Sequence, residues 1–158
     1  MLKEKIDADF KSAFKEKREA ELSTLKMLKS SLLYKQKDKQ FQESKKGASA
    51  TDAVLTDDEI VGVIAGEVKK LRDSIALFTQ GGRADLAKLA QGEIETLMRY
   101  MPQQFGEAEV KKLVDDAVKE SGATCVKDMG KVMAVLMPKV KGKADGTLVS
   151  RLVKEALQ

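Results

Sequence analysis

Between Lys127 and Lys154 the chain carries seven basic residues against two acids, Asp128 and Asp145. The densest part is PKVKGKADG, where Lys139, Lys141 and Lys143 flank Val140 and Gly142 between Pro138 and Gly146. Amines at that spacing on a turn can neutralise phosphates, and a helix starting just beyond would add its own N–H donors. The same residues also serve as helix punctuation, with Gly142 ending one helix and Asp145 capping the next. A nucleotide-binding P-loop is excluded. That motif needs Gly, four residues, then Gly-Lys-Ser/Thr. Here Ala144 follows Lys143, Met137 stands at the first glycine position, and no strand precedes.

Other chemistries are bounded by what is absent. The chain has no His, so Ser-His, Cys-His and His-metal constellations cannot form within it. Cys125 has no imidazole base and stands among apolar and small residues, which reads as a packed thiol. Asp57, Asp58 and Glu59 are explained by capping, and Glu93 and Glu95 do not form an acid and base in an apolar setting. An intrinsic enzyme is disfavoured, and no cofactor, metal or catalytic residue is expected. Met129, Met133 and Met137 share a helical face, as core filling or as an adaptable groove for a partner. Gly130 costs about 1 kcal/mol inside a helix relative to Ala, which close approach of another helix or backbone would justify.

These residues must be positioned by a scaffold that is 34% charged and 4% aromatic over 158 residues. A chain of this length buries roughly 70% of its unfolded surface without disulfides or metal. The net charge of +4 is unevenly placed. Basic residues lead acids by thirteen to eight over 1–46, acids lead by nine to six over 47–100, and the basic C-terminal zone follows. Two basic zones around an acidic middle point weakly to a polyanion and otherwise to a solvated helical surface. One cysteine excludes an internal disulfide and fits a reducing compartment. No apolar run approaches the ~18 residues of a membrane span, and charges interrupt the N-terminal MLKEKIDADF. The expectation is cytoplasmic, with no membrane partner.

Periodicity predicts helices throughout. Leu2, Ile6, Phe10 and Phe14 mark a first, and Leu22, Leu25, Leu28 and Leu32 a second, with Leu33 and Tyr34 widening its face. From Lys35 to Ala53 the period is lost, which predicts a frayed helix end and a mobile loop. Thr56, with Glu59 three residues on and Leu55 and Ile60 as a staple, starts the third helix, and Gly81-Gly82 ends it. The fourth turns Leu86, Leu89, Ile94, Leu97 and Met98 inward until Met101-Pro102 stops it. Three shorter helices follow: one stapled by Phe105 and Val110 and ending at Ser121-Gly122, one lined by Met129 to Met137, and one lined by Leu148, Leu152, Val153 and Leu157. The reading is all-α in two parts, an N-terminal bundle of about four helices over 1–101 and a three-helix unit over 102–158.

Three stretches carry a resemblance: GRADLAKLAQGEIETLMRYMPQQF, KDMGKVMAVLMPKVKGKADGTLVSRLV, and STLKMLKSS in the second helix. Together they resemble the YqeY-like proteins of the GatB/YqeY superfamily across essentially the whole chain. The resemblance implies two helical subdomains and kinship with the tail of the GatB component of the tRNA-dependent amidotransferase, which helps hold tRNA while amidation occurs elsewhere. Similar modules are fused to some glutaminyl-tRNA synthetases. A carbon–nitrogen ligase label, glutamine as amido-N donor, can follow from this kinship, though no residue here supports the activity. The implied RNA-facing residues are Lys127, Lys131, Lys139, Lys141, Gly142, Lys143 and Arg151. Two positions depart from the family pattern. Lys26 replaces the usual Arg and loses its bidentate fork, and Ala90 replaces the usual Glu.

The leading expectation is a non-catalytic tRNA-binding or tRNA-enzyme accessory protein, reading phosphates and shape. Its partners would be tRNA and an aminoacyl-tRNA synthetase or amidotransferase, and not DNA. The alternatives are a protein–protein adaptor docking through the methionine face or the Gly47 region, and a component of glutamine-dependent amide transfer acting only with partner subunits.

Overall fold

The computed structural model describes residues 1–45 and 53–158. Among these residues the fold is all-α, with seven α-helices, one 3-10 turn and no strand. The chain divides into two compact units, Met1–Met101 and Pro102–Gln158.

In the first unit, α1 (Leu2–Lys15) packs on α2 (Glu19–Lys45), α3 (Asp57–Gln80) packs on α4 (Ala84–Met98), and α2 also meets α3 and α4. Ile6, Leu25, Leu28, Ile60, Ile64 and Leu97 are buried together. Each such side chain contributes about 1.5–3 kcal/mol when fully buried. The start of α3 is held as its sequence dictates. Thr56 Oγ1 accepts from the Glu59 N–H at 3.2 Å, and Glu59 Oε2 accepts from the Thr56 N–H at 2.7 Å. At its end Gly82 takes the left-handed conformation, φ +68°, which glycine adopts without steric cost.

Several side chains depart from the sequence expectation. Phe14 is exposed and Ala13 is buried in its place. A repeat of four residues drifts about 40° per step against a 3.6-residue turn, so the inward face passes from Ile6 to Ala13. Leu33 and Tyr34 also face solvent, and in α4 Leu89 is exposed while Ala90 is buried. The helix expected to fray after Lys35 continues to Lys45. Tertiary bonds support this extension, for Lys39 Nζ reaches Glu59 Oε2 at 2.8 Å and the Val54 carbonyl at 3.0 Å. Ala53 is buried, and the remainder of the expected mobile loop, including Gly47, lies outside the described residues.

In the second unit, α5 (Glu107–Ser121) packs against both α6 (Met129–Val140) and α7 (Gly146–Ala156), with the 3-10 turn Val126–Asp128 leading into α6. Gly106 precedes α5, and its N–H donates to Glu109 Oε2 at 2.9 Å. Phe105 and Val110 both pack on the unit's core, as a staple would place them. Gly122, φ +65°, ends α5. The buried stripe of α6 is Val132, Leu136 and Val140. Met129 and Met133 flank that core half-buried, and Met137 is exposed at 41%. The methionine face is therefore split between packing and surface. Val149, not singled out by the sequence pattern, is a fully buried member of α7.

Candidate nucleic-acid interface

The turn after α6 is built from both ends. Lys141 leaves the helix with extended ψ, +120°, while its N–H still reaches the Met137 carbonyl at 2.9 Å. Gly142 then adopts φ +74°, a conformation that costs an L-residue roughly 1–2 kcal/mol. The N–H groups of Lys143 and Ala144 both turn back to the Val140 carbonyl, at 2.9 and 3.1 Å.

The segment before α5 fixes this turn from the other side. The Phe105 N–H donates to the Lys143 carbonyl at 2.7 Å. Gln104 Nε2 donates to the carbonyls of Gly142 and Pro102, each at 2.8 Å. The Lys143 ammonium lies over the Phe105 ring, 5.3 Å from its centroid. Gln103, Gln104, Phe105, Glu109 and Lys143 line a cleft of about 360 Å³ there. Helical periodicity assigns these two glutamines no role, although both lie in the stretch GRADLAKLAQGEIETLMRYMPQQF that carries the family resemblance.

The seven candidate residues divide into two groups. Gly142, Lys143 and Arg151 all engage the short segment 104–107, Arg151 through an ion pair to Glu107 at 2.7 Å. Lys141 adjoins them, exposed and without an ion pair among the described residues. Lys139 is held by Glu120 at 2.8 Å. Lys127 and Lys131 belong to the opposite end of α6. Eight residues of helix separate Lys131 from Lys139, about 12 Å.

At that far end Lys131 pairs with Asp128 at 2.8 Å. The Lys131 hydrogen bond, helped by the Thr124 N–H, holds the Asp128 carboxyl below the usual aspartate range, and Asp128 in turn holds Lys131 above the usual lysine value. Cys125 is exposed, not packed, and its thiol faces Asp128 Oδ2 at 3.6 Å. The 3-10 turn holds it out of the core that α5 and α6 form around Ala117 and Val132.

Two structural details narrow what this surface can do. Asp145 Oδ1 accepts from the Thr147 N–H at 2.7 Å and the Leu148 N–H at 3.4 Å. Its carboxylate already occupies the position a phosphate would take at the start of α7, so an anion there meets lysine side chains instead of helix amides. Gly130 is exposed near the start of α6, and a Cβ built there meets nothing within 4 Å. Among the described residues no neighbouring helix explains this glycine.

A family model described as "Yqey-like protein" matches residues 3–157. The chain is 25% identical over 158 residues to "Altered inheritance of mitochondria protein 41, mitochondrial" of Pyrenophora tritici-repentis, covering 97% of this chain and 79% of that protein. It is 28% identical over 161 residues to a glutamyl-tRNA(Gln) amidotransferase subunit of Thermococcus gammatolerans, covering 84% of this chain. That second match occupies 25% of the length of the Thermococcus protein.

Proposed function

The chain belongs to the YqeY-like protein family, and from that premise we propose that it is a non-catalytic accessory module that contacts tRNA and serves a tRNA-dependent enzyme. The Pro102–Gln158 unit makes the contact, through Lys139, Lys141, Lys143 and Arg151 around the Gly142 turn, with Lys127 and Lys131 as an outlying pair. One observation carries the reading. The turn is braced by hydrogen bonds from the Gln104 side-chain amide and the Phe105 backbone N–H, so its lysines project from a fixed base.

The individual contributions differ. Lys141 and Lys127 have no ion pair to give up among the described residues. Lys131, Lys139 and Arg151 exchange a carboxylate for a phosphate, and their net gain is smaller for that reason. Recognition rests on phosphates and folded shape, which position RNA without reading its sequence.

The kinship with an amidotransferase component supports a protein partner in the same complex, an amidotransferase or an aminoacyl-tRNA synthetase. Participation in glutamine-dependent amide transfer belongs to that complex and not to this chain alone. The lone cysteine fits a reducing, cytoplasmic compartment. The test is equilibrium binding of fluorescent tRNA at two salt concentrations, against a plain RNA duplex.

A further inference from the structure

We propose that the groove between α1 and α2 is a binding site for a small amphipathic anion: a linear apolar chain bearing one carboxylate. The groove has a volume of about 380 Å³, within the ~300–1,000 Å³ of small-molecule sites. Its floor is core residues of the first unit, Ile6, Leu32, Leu55 and Ile60, with Phe10 beside them and Leu33 at the edge. Leu33 is 54% exposed, and a ligand chain along the groove would cover it.

The shape follows from helix register. Lys3, Ile6, Asp7 and Phe10 follow one face of α1, and Lys26, Lys29, Ser30, Leu33 and Gln36 one face of α2. The α2 stripe runs for about 15 Å. A stripe of that length matches an extended chain of about ten carbons.

The rim selects the charge. Three lysines border the groove against one acid, Asp7. Asp7 is committed to an ion pair with Lys29, and that ammonium also lies 4.7 Å from the Phe10 ring centre. Lys3 reaches Gln36 Oε1 at 3.4 Å. Lys26 alone of the three has no partner for its ammonium among the described residues. A carboxylate head placed at Lys26 gains a cation without breaking a pair, while an ammonium head meets repulsion.

The test is titration of the full chain with sodium decanoate below its micellar concentration, followed by calorimetry and by backbone amide NMR. Decanol and decylamine are the comparators. Saturable one-to-one binding of decanoate, with shifts at Ile6, Lys26 and Leu33 and markedly weaker binding of decylamine, is the expected result. Lys26→Glu should weaken decanoate roughly fivefold or more, since it replaces an attraction with a repulsion. Ser30→Trp should fill the mouth and abolish binding, with circular dichroism checking that each variant is folded. Absence of saturation, equal binding of all three probes, binding only at micellar concentrations, or full affinity in folded Lys26→Glu would each overturn the proposal.

Discussion

Phe105 donates its backbone N–H to the Lys143 carbonyl at 2.7 Å, and Lys143 returns its ammonium to the face of the Phe105 ring. The chain before α5 and the turn after α6 therefore define each other. Phe105→Ala removes a half-buried ring and should cost about 2 kcal/mol, below the usual range for aromatic truncations because the ring is only partly buried. Phe105→Leu restores most of the packing but not the cation–π contact. Urea unfolding should recover stability in the Leu variant, and tRNA binding should recover with it if the role of the ring is to hold the turn.

Gly142 and Gly130 make opposite predictions. Gly142 sits at φ +74°, so Gly142→Ala should destabilise by about 1 kcal/mol and displace the lysines. Gly130 has ordinary φ and open space around its Cβ, so Gly130→Ala should stabilise by about 0.5 kcal/mol. Thermal unfolding of both variants distinguishes them by the sign of the change.

The cap of α3 carries a pH dependence. The Lys39 hydrogen bond, with the Thr56 N–H, holds the Glu59 carboxyl below its ordinary value of 4.5. A lowered folded pKa means the carboxylate contributes stability above about pH 4.5, and this is lost as pH falls through the folded value. Thr56→Ala should cost about 1 kcal/mol. Glu59→Gln should be less stable than the parent at pH 7 and converge with it as the pH falls below 4.5 and through the lowered folded value, measured by denaturant midpoints across the acid range.

Tyr100 is buried, and its hydroxyl donates to Asp9 Oδ2 at 2.7 Å, tying the end of α4 to α1. Burial, then the Asp9 bond, raises the phenol above its ordinary value of 10. A raised folded pKa leaves the contribution intact below about pH 10 and removes it as pH rises further. Tyr100→Phe should cost about 1 kcal/mol at neutral pH, and urea titration reads the loss.

Much of this architecture is written locally. Thr56 with Glu59, the Gly122 stop and the Asp145 cap each depend on residues within three or four positions, so their spacing suffices. The long extension of α2 does not. Lys35–Lys45 has no apolar stripe, and its hold on Glu59 and Val54 comes from residues far along the chain. Phe14 misled because a period of four imitates a helical face for only two or three turns. At the candidate interface the lysines were legible as types, but their partners were not. Glu107 and Glu120 lie on another helix, and nothing in the spacing of Lys139 or Arg151 assigns them. The burial of Ala90 likewise depends on how α4 packs, not on its own sequence.

Salt-dependent binding of folded tRNA tests the central claim most directly. The expected result is a preference for tRNA over a plain duplex, with a log–log salt slope of about −3.5 to −4.5 for five phosphate contacts. Replacing Lys139, Lys141 and Lys143 with Ala should weaken binding across tRNAs alike and flatten the slope by about one per lost phosphate contact. Affinity and slope unchanged in that variant, or no tRNA binding at low salt, would contradict it.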